Sequence, residues 1–360
     1  MADAVAENIA ALRDEDWAIR EEAATSLGML GDRRAVEPLL LLLRDEDRSV
    51  RQAAIGALIQ LGEAAVPALA GVARHADPGV QEAVVGILAE VGDERALPEL
   101  VQALKSLNWI VRSQAAKALG RIRAAESVPL LLPLLQDKVK AVRVETGLAL
   151  AALGPVALSN LVEALGHHEW LVRLHAVEAL GRMKAVEAVD PLLYVLFNDA
   201  DAAVREDAIR ALGEIADRRA TAFLLKVIEE PGLRPLAIDA LGRIGDPGAV
   251  PALIPIANGT ARPEVSRMIA GCGDAWTEEM LAMPAAVRAL GLIGDERALP
   301  TLAAALLHTV TRGEAAAALV RFGSKSLPHV LPLLKQSQDE NVRFYVKETL
   351  GKVGWRAARL

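Results

Sequence analysis

Apolar residues return along this chain in two alternating patterns. In the first, small and branched apolar side chains recur every three or four positions, as in IREEAATSLGML from Ile19, VRQAAIGALIQL from Val50 and VREDAIRALGEI from Val204. That spacing puts them on one stripe of an amphipathic helix. In the second, shorter and denser runs such as AVEPLLLLLRD (35–45), ALPELVQALKS (96–106) and SVPLLLPLLQD (127–137) predict another helix with less polar surface. A helix of each kind, joined by a turn, makes one unit, and the unit repeats.

The repeated phrase is V-R-x-x-A-x-x-x-L-G-x-x-G-D. With its Arg as origin, the copies sit at Arg20, Arg51, Gln81, Arg112, Arg143, Arg173, Arg205, Arg234, Met283, Arg312 and Arg343, spaced 29 to 32 residues apart except for one interval of 49. Seven residues past the origin there is a leucine in every copy, from Leu27 to Leu350. Eight past it, seven copies carry glycine: Gly28, Gly120, Gly181, Gly213, Gly242, Gly291 and Gly351. Glycine inside a helix costs about 1 kcal/mol against alanine, so its recurrence predicts that a neighbouring helix backbone comes close there. Asp16, Asp47, Asp77, Asn108, Asp201 and Asp339 stand where helix N-caps are needed. Gly31, Gly62, Gly92, Gly154, Gly245, Gly294, Gly323 and Gly354 stand where a left-handed residue ends a helix.

The phrase D-x-x-V-R-x-x-A-x-x-A-L-G-x-x-G-D resembles the HEAT-like repeats of the phycobilisome-lyase (PBS lyase) type, and the resemblance covers Val5 to Trp355. It implies an all-α fold, an α-solenoid or α-α superhelix of about eleven helical hairpins, with the second helices lining a concave face. The expected organisation is one continuous solenoid. Residues 1–257 hold repeats 1 to 8 and the first helix of repeat 9, 258–279 form an insertion, and 280–360 complete repeat 9 and add repeats 10 and 11. Arrays of this kind scaffold, adapt and occasionally catalyse, so the repeat specifies architecture more than ligand.

Composition narrows the field further. Apolar residues make up 52% of the chain but aromatics only 3%, which suits an aliphatic helical core better than a β-sandwich. A net charge of −7 and a pI near 5.5 argue against nucleic acid as the partner, and a HEAT-like DNA glycosylase would need a basic, Trp-rich cleft. The longest nearly continuous apolar run, 147–158, is short of the roughly 18 residues needed to span a membrane. One cysteine and no apolar leader after Met1 predict a cytoplasmic protein.

The candidate binding residues follow from departures and recurrences. Trp17, Trp109 and Trp170 each lie three residues before the origin Arg, at the rim of the turn between helices. Arg121, Arg182 and Arg243, with Arg321 and Lys352, form a basic line nine residues past it, and Glu178, Asp239 and Glu348 precede three of these by four. The insertion carries Cys272 and Trp276 among apolar neighbours. The origin Arg itself is expected to form a ladder with acids such as Asp16, Asp47 and Asp201. His167, His168, Glu169 and His175 cluster in sequence, but the single pair His168-Glu169 is too few for a di-iron set. No phosphate loop, H-E-x-x-H or G-x-S-x-G occurs. The expectation is therefore a non-enzymatic scaffold or adaptor without cofactor or metal, presenting a helical surface to a cytosolic protein. The alternative is a bilin-lyase-like or chaperone-like protein acting on a phycobiliprotein, which the resemblance implies and the shortage of aromatics disfavours.

Overall fold

The structure is a computed structural model that describes residues 3–73, 77–230, 232–260 and 278–355, with the side chains of 278–281 outside the description. Among these residues there are twenty-two α-helices (α1 to α22) and no strand. Odd-numbered helices open each hairpin and even-numbered ones close it, so the fold is an all-α solenoid. The closing helices carry the repeated phrase: α2 (Trp17–Leu30), α4 (Arg48–Leu61), α6 (Pro78–Val91), α8 (Trp109–Ile122), α10 (Lys140–Leu153), α12 (Trp170–Arg182), α14 (Ala202–Ile215), α16 (Arg234–Ile244), α18 (Glu278–Ile293), α20 (Arg312–Arg321) and α22 (Glu340–Lys352). The chain divides into two compact units, Met1–Ala179 and Leu180–Leu360.

All eleven register leucines are buried, none above 1% exposed, so the stripe at −1, +3 and +7 is the core stripe. The six expected N-caps are in place, each accepting from a backbone N–H of its own helix. The eight expected stops all have positive φ. Prolines 98, 129, 300 and 328 stand in the first turn of their helices, where a missing N–H costs nothing, so they start the opening helices.

The recurring glycine has the predicted cause. A Cβ built on Gly120 would lie 2.6 Å from the Cα of Ala149, six residues past the origin of the next hairpin. The same clash recurs for Gly28 on Ala57, Gly181 on Ala211, Gly213 on Ala240, Gly242 on Ala289 and Gly291 on Ala318, at 2.8 to 2.9 Å from Cα. Gly351 has nothing within 4 Å of that position. Successive closing helices thus touch backbone to backbone at a glycine–alanine joint. The Gly242–Ala289 joint spans the insertion without loss of that geometry.

No single helix among the described residues is long and apolar enough to cross a membrane; the pair Arg48–Ala64 and Val66–Ala73 reaches that length only with a bend of 117°.

Candidate functional site

The origin arginines do form a ladder, but not with the expected acids. Arg20 donates through Nε and Nη2 to both oxygens of Asp45, at 2.8 and 3.0 Å, and through Nη1 to the carbonyls of Asp14 and Glu15. Arg112 repeats the arrangement on Asp137, with Nη1 on the carbonyls of Ser106 and Leu107. Each arginine therefore closes the end of its own opening helix and grips the next hairpin's turn, 25 residues on. Asp16, Asp47 and Asp201 cap their own helices instead, because their side chains lie beside the free N–H groups there. Twenty-five residues past Arg143 stands His168 in place of an aspartate, and Arg143 Nε donates instead to His175 Nε2 at 3.2 Å. His175 is buried, with Nδ1 2.8 Å from Glu178, and so belongs to this ladder rather than with the half-buried His167 and the exposed His168, whose tilted rings lie 4.3 Å apart.

A second ladder on the opposite edge escaped the sequence reading. In the turns between hairpins an Asp caps a short 3-10 turn and pairs with the Arg two residues on, as in Asp32-Arg34, Asp93-Arg95, Asp217-Arg219 and Asp295-Arg297. The same arginines reach back one hairpin: Arg34 to Asp3, Arg95 to the carbonyl of Glu63, Arg219 to that of Val186 and Arg297 to that of Pro247. The signal was an Asp-x-Arg-Ala phrase in four inter-repeat turns.

These ladders leave the rim and the outer stripe of the closing helices to interact elsewhere. Trp17, Trp109 and Trp170 occupy the first residue of α2, α8 and α12 and are 48, 43 and 42% exposed, a large fraction for the biggest apolar side chain. Arg121 bonds Glu90 of the preceding closing helix at 2.6 Å, beside Lys117 at 2.7 Å, and these two cations hold the Glu90 carboxyl below its usual range. Arg243 pairs with Asp239 at 2.9 Å, as the four-residue spacing predicts, and Arg182 is exposed. Cys272 and Trp276 lie outside the described residues.

In the first unit a cavity of about 640 Å³ opens between α4 and α6, near the same rim. Arg44 and Asp77 form an ion pair of 3.3 Å at its lining, where Asp45, Arg51, Glu82 and Gln114 add polar groups and Ile55 and Val80 apolar ones. Such a wall suits a small amphipathic ligand.

Models of HEAT repeats match residues 5–76, 66–151, 135–196 and 189–271, and a PBS lyase HEAT-like repeat matches 285–308. The bilin biosynthesis protein PecE of Mastigocladus laminosus is 34% identical over 131 residues, which are 35% of this chain and 49% of that protein. This chain thus spans about half the length of that relative. An uncharacterized phycocyanin operon protein Z of Pseudanabaena tenuis is 28% identical over 153 residues, 39% of this chain and 74% of the relative. Among solved structures, the karyopherin Kap121p bound to the extreme C-terminus of the protein phosphatase Cdc14p superposes with a TM-score of 0.62 at 12% identity, over 97% of this chain and 45% of that one, a likeness of fold alone. The PecE match overturns the expectation of a chain without enzymatic role, since a relative with these repeats is a protein of biosynthesis. The expectation failed because it rested on missing catalytic motifs, and a surface that holds two reactants in register accelerates their reaction without one.

Proposed function

The chain belongs to the HEAT-repeat family, and from that premise we propose that it is a lyase-type or chaperone-type subunit handling an open-chain tetrapyrrole, a bilin, together with the protein that carries it. The identity of 34% over 131 residues with a bilin biosynthesis protein carries this reading, and the PBS lyase HEAT-like repeat at 285–308 supports it. The fold would contribute position: the solenoid holds a protein partner along its closing helices and presents the pigment to it, so that binding energy replaces the entropy of a bimolecular encounter. The partner surface in this reading is the rim of Trp17, Trp109 and Trp170, with Arg121, Arg182 and Arg243 on the outer stripe and Cys272 and Trp276 in the insertion. Large aromatics at a rim are the common anchors of protein interfaces. The setting is the cytoplasm.

The experiment is co-production of this chain with a phycobiliprotein subunit and a bilin, followed by denaturing electrophoresis and zinc-enhanced fluorescence, which reads covalently attached pigment. Attachment should rise when the chain is present, and replacing all three rim tryptophans by alanine should lower it about tenfold with melting unchanged. Equal attachment with and without the chain would overturn the reading.

A further inference from the structure

A second cavity of the first unit, of about 650 Å³, lies between the 3-10 turn Leu132–Gln136 and α11 (Pro155–Ala164) and reaches the turn that leads into α12. Its size is that of a ligand site, roughly 300–1,000 Å³. Pro129, Leu132 and Pro133 give it an apolar side that is not buried in the core. Gln136, Asn160 and Glu163 give it polar groups, and none of these three side chains has a hydrogen bond or ion pair among the described residues. The basic groups of the lining are imidazoles, both already engaged. His167 Nδ1 accepts from the Glu169 N–H at 3.1 Å, which leaves the neutral ring its proton on Nε2, and His168 Nε2 lies 3.7 Å from Glu169 Oε1. No lysine or arginine is among the described residues that line it.

The register shows that this charge balance is particular to the site. Seven residues before the origin, the first four hairpins carry Arg13, Arg44, Arg74 and Lys105, whereas the fifth and sixth carry Gln136 and Gly166. Ten before it, the sixth carries Glu163 where the first five carry Ala10, Leu41, Gly71, Gln102 and Pro133. A cation is withdrawn and a carboxylate is added at one groove. Gly166 is not required by packing: a Cβ there would meet the Glu163 carbonyl oxygen at 3.6 Å, an ordinary contact. What the glycine supplies is the absence of a side chain.

We infer that this groove binds an extended segment of a partner protein that carries a lysine or arginine beside apolar residues. The cation of the segment pairs with the unpartnered Glu163 carboxylate, a charge-assisted bond that the groove has no cation of its own to make. The carboxamides of Gln136 and Asn160 each offer both a donor and an acceptor, the complement of a peptide unit, and His167 Nε2–H adds a donor for a carbonyl. Apolar side chains of the segment lie on Pro129, Leu132 and Pro133. The net charge of −7 favours approach of a basic partner as well. The inference is independent of the pigment reading, since the propionates of an open-chain tetrapyrrole would meet a carboxylate here and no lysine or arginine.

The test is selection of short peptides from a displayed random library on the full chain, followed by fluorescence anisotropy of the strongest binder. Enriched peptides should share a lysine or arginine with an apolar neighbour. Changing that cation to glutamate, or N-methylating the amides beside it, should each weaken binding about tenfold. Glu163→Gln should do the same. The deciding pair is Gly166→Arg and Gly166→Ala. The first returns the residue type of the early hairpins and supplies from within the cation that the groove lacks, so it should weaken binding about tenfold; the second should leave affinity unchanged, and both should melt as the parent does. If Gly166→Arg fails to fold, Glu163→Gln decides. The inference is overturned when no peptide is enriched, when the enriched peptides are acidic or carry no cation, when hexylamine binds as tightly as the peptide, or when folded Glu163→Gln or Gly166→Arg protein keeps the parent affinity.

Discussion

Two side chains of nearly the same sequence context have opposite expected responses to one methyl group. At Gly120 a Cβ would press on the Ala149 backbone at 2.6 Å, and since the contact is main chain rather than a flexible tip, the helices must part. Gly120→Ala should therefore destabilise by about 1–3 kcal/mol, read by denaturant melts. At Gly351 the same methyl meets open space in a helix, so Gly351→Ala should gain about 0.5–1 kcal/mol. Equal signs for the two would mean that the joint is not what retains glycine. The ladder makes a separate prediction with pH. The Arg20 guanidinium beside Asp45, aided by the Asp47 N–H, holds that carboxyl below its usual range against the opposing effect of burial. A carboxyl depressed in the folded state contributes stability above its unfolded value, about 3.9, and loses it as pH falls through the folded value. Asp45→Asn should lower the melting temperature at neutral pH and flatten its fall below pH 4; a wild-type slope in the variant would show that the pair contributes nothing.

At the scale of the helix, the sequence announced most of what the structure contains. N-cap residues and stop glycines were legible because each serves a need local to its own helix end. Three stops were not: Arg123, Lys184 and Ala216 take the left-handed conformation without being glycine, at φ 58, 52 and 59. The helix-ending bonds demand it, as where the Ala216 N–H donates to the Leu212 carbonyl. An L-residue in that conformation costs about 1 kcal/mol, so Ala216→Gly should recover roughly that amount in an equilibrium unfolding measurement. The origin arginines were misassigned for the complementary reason. Asp16 is close to Arg20 in sequence, whereas Asp45 becomes its neighbour only when hairpins stack. Interactions within a hairpin can be read from spacing; those between hairpins need the offset of one whole repeat.

For the molecule as a whole, architecture was legible to the register position, while the proposed bilin-handling role was legible only through the resemblance of the repeat, because positioning leaves no motif behind. The insertion shows how far the stack is independent of what joins its helices. Arg297 reaches the Pro247 carbonyl across 50 residues where Arg95 and Arg219 cover 32 and 33, and Gly242 meets Ala289 as its counterparts meet theirs. Replacing 258–279 with a short turn should accordingly leave the thermal midpoint within a few degrees of the parent; a large drop would make the segment part of the core. If the stack closes over such an excursion as though it were not there, the ninth turn is a natural splice point. Foreign loops, tags or recognition peptides could be traded in and out at that single joint, and selection could have used the same freedom to change what the array recognises without rebuilding the array.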